Sequence, residues 1–229
     1  MLVAKSEPVA EGTVIMAEHQ YAGRGQQGNT WVAEAGKNLT CSLLLKPSFL
    51  KPADQFQLNM MVSVALKDAL REITGEAIEL KWPNDLYYKG AKLGGILIEN
   101  SIGGQTYKHC IIGMGLNVNQ QVFPNTLQRS ITSLSQILQK DVNLNALLPV
   151  ICSHIEKHYL KLRAGKHPTL KNDYLQSLYR MGALSRYCAD GQEFEGKIKG
   201  VDDIGRLIVD IDGISKAYGF KEIQFLDDV

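Results

Sequence analysis

The sequence of 229 residues predicts an α+β protein, in which a mixed-sheet domain with flanking helices precedes a small C-terminal β-barrel. Two observations support this prediction. Between Ala53 and Thr74 the apolar residues recur at helical spacing, and strand-like runs lie on both sides of that segment. After Ser185 the pattern changes to short strands separated by turn dipeptides. We therefore expect one domain over residues 1–183 and a second over residues 184–229.

The individual elements follow from periodicity and from helix and turn signals. Predicted strands in the first domain cover Thr13–Gln20, Asn38–Lys46, Ala77–Trp82, Lys92–Glu99 and Tyr107–Gly113. Predicted helices cover Ala53–Thr74, which ends at Gly75, and Ser133–Gln139, Leu144–Ala164 and Thr169–Tyr179. In the second domain the dipeptides Asp190-Gly191, Ile204-Gly205 and Asp212-Gly213 predict tight hairpin turns.

The composition argues against several classes of function. A net charge of +1 predicts no strong attraction to nucleic acid or to a membrane surface. The N-terminal residues lack the apolar run of a signal peptide, and no stretch approaches the ~18 apolar residues of a membrane span. The four cysteines form no C-x-x-C pair, which is typical of reduced thiols. We therefore expect a cytoplasmic protein that binds neither nucleic acid nor membranes.

Two histidines at helical spacing, His154 and His158, could face one way. Because no acidic or cysteine partner of matching spacing is apparent nearby in the sequence, a solvated helix face is the favoured interpretation over metal binding.

The segment from Lys81 to Asn100 has the pattern of two strands joined by a polar turn. Pro83 ends the first strand, because it has no amide hydrogen to donate. Asn84 and Asp85 follow at the strand end, where ligand sites are often built.

The second strand of this segment carries Lys92 just before Gly94-Gly95. A lysine is seldom fully buried without a partner, and glycines let a flat ligand approach the backbone. From this segment alone, a ligand-binding lysine and a charged hairpin with a glycine bulge fit equally well.

A glycine-rich polar loop, GRGQQGNTW, runs from Gly23 to Trp31. Its backbone amides could hold an anion, Arg24 adds donors suited to carboxylate or phosphate, and Trp31 offers a face for a base. For this loop alone, a flexible surface loop with a core tryptophan is the favoured interpretation, since the chain contains no G-x-x-x-x-G-K-[ST] motif. A further stretch, IGMGLNVN, lacks the third glycine of a dinucleotide fingerprint. It still places backbone amides and asparagine side-chain carbonyls together at the end of a strand.

Four motifs, GRGQQGNTW, KWPNDL, AKLGGIL and IGMGLNVN, follow one another along the chain. Together they resemble the biotin protein ligases, which attach biotin to a lysine of carboxylase carrier domains. The C-terminal run GKIKGVDDIGRLIV resembles the terminal barrel of that family. The resemblance covers nearly all of the chain, and the absence of a helix-turn-helix motif implies a monofunctional ligase without a DNA-binding domain.

The resemblance implies an ATP-dependent biotin–[acetyl-CoA-carboxylase] ligase that works in two steps. Biotin and ATP would first form biotinyl-5′-AMP and pyrophosphate, with Mg²⁺ as cofactor. The lysine of a biotin carboxyl carrier domain, from acetyl-CoA carboxylase or a related carboxylase, would then displace AMP. Some ligases of this family dimerise through a sheet edge, so a homodimer stays an open alternative.

The resemblance also implies roles for individual residues. Lys92 and Arg24 would be catalytic, because positive charge offsets the repulsion between two reacting anions. Biotin would contact Gln20, Gly23, Arg24, Lys92 and Gly95. The nucleotide would contact Gln26, Asn29, Trp31, Asn84, Lys92 and Asn117, with Trp31 stacked on adenine. Asp85 would help to hold Mg²⁺.

Two departures from the family pattern bear on these expectations. Gln26 and Asn29 stand where many members carry arginine, so we expect a weaker grip on the phosphates. Members usually carry a Ser-Thr-Asn-type motif before the first strand, and residues Met1–Gly12 hold none. We therefore expect either that the chain starts late or that another segment closes the biotin slot.

Two other functions compete with this interpretation. One is a lipoate or octanoate ligase or transferase of the same superfamily, which would share the lysine-containing hairpin. The other is a non-catalytic biotin-binding module. An intact Lys92 argues against the second, because a binding module needs no cation at an ATP α-phosphate. ATP dependence distinguishes among the three.

Overall fold

The computed structural model describes residues 9–124 and 130–226, so part of the N-terminal stretch without a Ser-Thr-Asn motif, residues 1–8, lies outside it. The strands are β1 Val14–Met16, β2 Gly23–Arg24, β3 Thr30–Trp31, β4 Leu39–Leu45, β5 Glu79–Lys81, β6 Asp85–Tyr88, β7 Ala91–Gly103, β8 Thr106–Leu116, β9 Leu184–Ala189, β10 Gln192–Val201, β11 Leu207–Ile211, β12 Ile214–Tyr218 and β13 Gln224–Phe225. The α-helices are α1 Gln55–Thr74, α2 Leu134–Leu138, α3 Leu144–Arg163 and α4 His167–Leu175.

The first sheet has six strands in the order β1-β4-β8-β7-β6-β5. The strands β5 to β8 follow one another through short connections, and short hairpins can join only antiparallel neighbours. All ladders of this sheet among the described residues are accordingly antiparallel, and parallel pairing is limited to isolated bridges such as Leu80 with Leu178. The α+β class is confirmed, since the chain contains both helices and sheets. The strands of this sheet pair antiparallel rather than in mixed directions.

The long helices begin and end where the sequence signals lie. Gly75 adopts a left-handed conformation (φ 70°), and its amide donates to the carbonyl of Arg71, which ends α1. The side chain of Asn143 accepts hydrogen bonds from the first amides of α3. None of the helices within the described ranges is long and apolar enough to cross a membrane.

Strand β4 shows how the first sheet separates a core from a cavity. Leu39, Leu43 and Leu45 belong to the buried core that includes α1 and α3, whereas Thr40 and Ser42 line a cavity. Since side chains alternate along a strand, one face packs against helices and the other faces the cavity.

The interpretation of His154 and His158 as a solvated helix face was wrong. Nε2 of His154 lies 2.9 Å from a carboxylate oxygen of Glu72, and Nε2 of His158 lies 2.9 Å from one of Asp68. The side chain of His158 is only 2% exposed. The carboxylates come from α1, 82 and 90 residues away in sequence, so spacing within α3 could not reveal them.

The second sheet is antiparallel, in the order β12-β11-β10-β9-β13. Asp190-Gly191 and Asp212-Gly213 form the predicted two-residue hairpins, with positive φ at both positions. Ile204-Gly205 instead belongs to a longer loop, in which Asp202 Oδ1 accepts hydrogen bonds from the amides of Ile204 and Arg206. No ladder between β12 and β13 appears in the described part of the chain, so the predicted barrel is an open sheet.

The loop at Gly205 joins this second sheet to the first part of the chain. The indole Nε1 of Trp82 donates to the carbonyl oxygen of Gly205 at 2.9 Å, and the Phe56 ring packs against the glycine. Buried residues of both sheets belong to one hydrophobic cluster. The division at residue 183 stays a prediction.

Replacement of Gly205 by alanine should destabilise the protein strongly. Gly205 has φ +90°, and an added Cβ would lie 2.3 Å from Cδ2 of Phe56. Backbone strain and the steric clash together should lower the free energy of unfolding by about 3 kcal/mol or more. Urea denaturation followed by circular dichroism measures this change.

Gly213→Ala is the matched control, because Gly213 also has positive φ (+84°) but nothing lies within 4 Å of an added Cβ. This variant should lose only about 1 kcal/mol, from backbone strain alone. Equal losses in the two variants would show that Phe56 exerts no constraint at Gly205.

Candidate active site

A cavity of about 590 Å³ lies between the two sheets. The glycine-rich loop and strands β4, β7 and β8 form most of it, and the chain around β13 forms a further wall. Most of the residues singled out in the sequence line it, namely Gln20, Arg24, Gln26, Asn29, Trp31, Asn84, Asp85, Lys92 and Gly95. Gly23 and Asn117 are buried but are not among its described lining residues.

An ion pair between Lys92 and Asp85 forms the most buried charged feature of the cavity. Lys92 Nζ donates to Asp85 Oδ1 at 2.5 Å, and the two side chains are 11% and 17% exposed. A buried ammonium group is costly unless it is paired, so Asp85 keeps the charge of Lys92 inside the cavity.

Lys92 reaches Asp85 because of a β-bulge between β6 and β7. Asp85 pairs with Gly95. Two positions further on, Tyr87 pairs with Lys92 rather than with Leu93. Since side chains alternate between the faces of a sheet, the extra residue shifts the alternation by one. Lys92 therefore lies on the same face as Asp85, whereas Leu93 is fully buried in the core.

Glycine at position 95 leaves room for this ion pair. A Cβ at Gly95 would lie 3.1 Å from Asp85 Oδ1 and 3.5 Å from Lys92 Nζ. The backbone of β7 is consequently exposed beside the two charges, so a ligand can approach it closely.

Arg24 is held by a carboxylate that the sequence did not indicate. Its guanidinium forms two hydrogen bonds with Glu99, of 3.0 Å and 2.8 Å, which is the bidentate geometry that arginine prefers. Arg24 is 63% exposed at the mouth of the cavity, whereas Glu99 lies on β7. The same fork of donors suits a phosphate or a substrate carboxylate.

Trp31 lies across β8 because residue 115 is glycine. A Cβ at Gly115 would lie 2.6 Å from Cε2 of the indole, so no other residue would let the ring pack there. The indole Nε1 of Trp31 is buried, and no group in the described part of the chain forms a hydrogen bond with it. Gly23 lets β2 approach β3, since its added Cβ would lie 2.2 Å from the carbonyl oxygen of Trp31.

Two asparagines of the motifs form structural hydrogen bonds. The Asn84 side-chain amide donates to the carbonyl of Ile96, and the Ile96 amide donates to the carbonyl of Asn84. Asn117 donates to the carbonyl of Thr132 at 3.1 Å, outside the cavity lining. A role of Asn117 toward the nucleotide stays a prediction.

Among the described residues that border the cavity, Cys41 is the one thiol, and it is in a form that is poorly suited to nucleophilic attack. Burial, with a smaller contribution from Cys152, raises the pKa of Cys41 to about 12. The thiolate is the nucleophile in cysteine chemistry, and it is scarce at such a pKa.

The C-terminal wall of the cavity was not predicted from the sequence. It consists of Phe220, Lys221, Ile223, Gln224 and Phe225. The Phe220 ring packs against Trp82 with 5.3 Å between centroids, which links this wall to the KWPNDL motif. No periodicity or motif marks these residues, because they become neighbours of the first sheet only through tertiary packing.

The chain is similar to known ligases along most of its length. The profile of the biotin/lipoate A/B protein ligase family matches residues 3–117, which is 115 of the 229 residues. The bifunctional ligase/repressor BirA of Bacillus subtilis is 32% identical over 212 residues, which cover 91% of this chain and 65% of BirA. The biotin–[acetyl-CoA-carboxylase] ligase of Paracoccus denitrificans is 30% identical over 200 residues, which cover 85% of this chain and 82% of that protein.

The fold is likewise similar to a solved ligase. The biotin protein ligase from Aquifex aeolicus, in complex with biotin and ATP, superposes with a TM-score of 0.83 at 26% identity. The match covers 99% of this chain and 94% of the Aquifex chain. By contrast, the chain spans just under two thirds of the length of the Bacillus relative. The profile match and the identity to the Paracoccus ligase show that the chain belongs to the biotin/lipoate A/B protein ligase family.

Proposed function

We propose that the protein is an ATP-dependent biotin protein ligase. It would activate biotin as biotinyl-5′-AMP and transfer the biotinyl group to a lysine of a carboxylase biotin carrier domain, such as that of acetyl-CoA carboxylase. The single observation that carries the proposal is a buried lysine, Lys92, in a cavity of about 590 Å³, a volume typical of small-molecule sites. The similarity to ligases named for biotin supports biotin as the substrate.

Lys92 would act as the electrostatic catalyst of the first step. The attacking biotin carboxylate and the α-phosphate are both anions, so a cation between them lowers their repulsion and stabilises the charge of the transition state. The low exposure of Lys92 strengthens this effect, because little water competes for its charge. Arg24, at the mouth of the cavity, would bind the same two anions, the biotin carboxylate and the α-phosphate, once its guanidinium leaves Glu99.

Asp85 would be the Mg²⁺ ligand. Carboxylate oxygens suit this hard cation, which keeps several waters when it bridges phosphates, so one protein carboxylate fits the requirement. When bound, Mg²⁺ would screen the phosphate charges. The carboxylate of Asp85 also orients Lys92. Asp85 would therefore contact both cations of the site, the Lys92 ammonium group and Mg²⁺.

The remaining assignments divide the cavity into two halves. Biotin would lie beside Gln20 and Gly95, where exposed glycine backbone lets a flat ring approach, and Gly23 would support this half from behind the lining. The nucleotide would contact Gln26, Asn29, Trp31 and Asn84, with adenine against the indole of Trp31. Asn117, which lies behind the lining, would reach the nucleotide only if its side chain leaves the carbonyl of Thr132.

The second step requires that water be kept from the acyl-phosphate anhydride. The glycine-rich loop on one side and the C-terminal wall on the other would enclose it until the acceptor amine attacks the carbonyl carbon and AMP leaves. The proposal includes domains over residues 1–183 and 184–229 and a cytoplasmic location, which the four free cysteines favour.

ATP–pyrophosphate exchange tests the activity directly. Exchange should require biotin, and Lys92→Ala should lower its rate by about 10²–10³-fold, the loss expected when one preorganised charge is removed. Lys108→Ala on β8, outside the cavity lining, is the matched control and should exchange at the parent rate. Circular dichroism verifies that each variant is folded.

Two results would contradict the proposal. Exchange that proceeds with lipoate or octanoate and not with biotin would assign the protein to the other branch of its family. Tight biotin binding without any exchange, in the folded parent protein supplied with ATP and Mg²⁺, would indicate a binding module.

Gly115→Ala should weaken nucleotide binding through Trp31. The added methyl group displaces the indole, so the dissociation constant for ATP should rise at least about tenfold, as expected for the loss of one stacking contact. Isothermal titration measures it. Gly113→Ala also adds a methyl group to the cavity lining, but its Cβ would approach other atoms only to 3.4 Å, so this variant separates the displacement of the indole from the mere addition of a methyl group. Unchanged ATP affinity in Gly115→Ala would exclude Trp31 as the adenine platform.

Gln26→Arg should slow the release of biotinyl-5′-AMP. A second cation in the loop adds a charge-assisted contact to the phosphate, so the release rate should fall by about tenfold. Stopped-flow chase with excess biotin follows the release. Gln26→Met, a neutral side chain of similar length, separates the effect of charge from that of size. Equal release from the parent and the arginine variant would rule the idea out.

A further inference from the structure

A cluster of histidines and carboxylates joins α1 to α3, away from the cavity lining. Asp68 and Glu72 are four residues apart on α1, and His154 and His158 are four apart on α3. Residues at this spacing share one helix face, so each helix presents two potential ligands to the other. One potential ligand atom each from Asp68, His154 and His158 lies within 4.8 Å of the other two.

The chemistry of these groups is that of a transition-metal site. Two imidazoles with one or two carboxylates are a common ligand set for Zn²⁺, which favours four ligands in a tetrahedral arrangement. Glu72, whose carboxylate lies 2.9 Å from Nε2 of His154, borders this group but is not part of it, so water would supply the fourth ligand. We propose that Asp68, His154 and His158 bind a divalent transition metal of the Zn²⁺ class between α1 and α3.

The charges of the cluster fit a divalent ion. The carboxylates of Asp68 and of the neighbouring Glu72 together balance the charge of Zn²⁺, and two neutral imidazoles add none. Lys67 Nζ lies 3.0 Å from Asp68 Oδ1, which leaves Oδ2, the oxygen next to His158, on the side of the cluster.

The burial of the four side chains forms a gradient suited to metal entry. His158 is 2% exposed, His154 14%, Asp68 32% and Glu72 64%. A metal could therefore enter past Glu72 and be held by the three more buried groups. Since none of the four lines the large cavity, the metal would link two core helices and take no part in the ligase reaction.

Zinc titration of the full chain, freed of metal by chelator, tests the proposal without ATP or biotin. Isothermal titration should give one Zn²⁺ per chain, and Co²⁺ should give the intense visible absorption of a four-coordinate ion. His154→Gln and Asp68→Asn should each weaken Zn²⁺ binding at least about tenfold. Both substitutions keep a polar side chain of similar size, so circular dichroism should show parent-like folds.

His109→Gln is the matched control, since His109 lies on β8 outside the cluster, and its Zn²⁺ affinity should equal that of the parent. A rise in melting temperature with Zn²⁺ that is lost in His154→Gln would further support a link between the helices. Absence of one-to-one binding in the parent, or binding of equal strength in folded His154→Gln and Asp68→Asn, would overturn the proposal. Neither result depends on ligase activity, so the proposed function is tested separately.

Discussion

The site depends on one ion pair, between Lys92 and Asp85, in a place where an unpaired charge could not remain. Transfer of an ammonium group from water into a largely buried position costs several kcal/mol, and a hydrogen-bonded carboxylate offsets much of that cost. The pair therefore explains why a lysine can lie beside apolar strands. It also explains why residue 95 is small, because a Cβ there would lie 3.1 Å from Asp85 Oδ1, closer than ordinary van der Waals contact.

The bulge on β7 sets this arrangement through strand register. Without the extra residue, Leu93 would take the place opposite Tyr87, and Lys92 would face the helices. A charged group would then enter the hydrophobic core, and an apolar one would enter the cavity. Register and electrostatics thus select the same strand pairing, which is the kind of agreement that specifies a unique fold.

Local signals allowed much of the fold to be predicted from the sequence. The periodicity of α1, its glycine stop and the two Asp-Gly hairpins are properties of neighbouring residues, and the structure contains all of them. Strand β6 was missed, because four residues between a proline and a turn show no clear alternation. The loop around Gly205 was misjudged, because Asp202 organises it from outside the dipeptide.

Candidate site residues could be named where a motif carried them, and most of those lie around one cavity. Long-range partners could not be named. Glu99 binds Arg24 from 75 positions away, and Gly115 matters because of Trp31, which no local pattern connects to it. The same limitation hid the carboxylates that face the two histidines of α3.

The wall contributed by the chain around β13 affects how genetic data on this protein should be interpreted. The cavity is complete only while the second sheet is docked, and that docking involves Trp82, Phe56 and the loop at Gly205. A substitution that merely loosens the docking would open the cavity without touching a ligand. A deep mutational scan scored by growth would then record such positions as binding defects, although their primary effect is on the attachment of one sheet to the other.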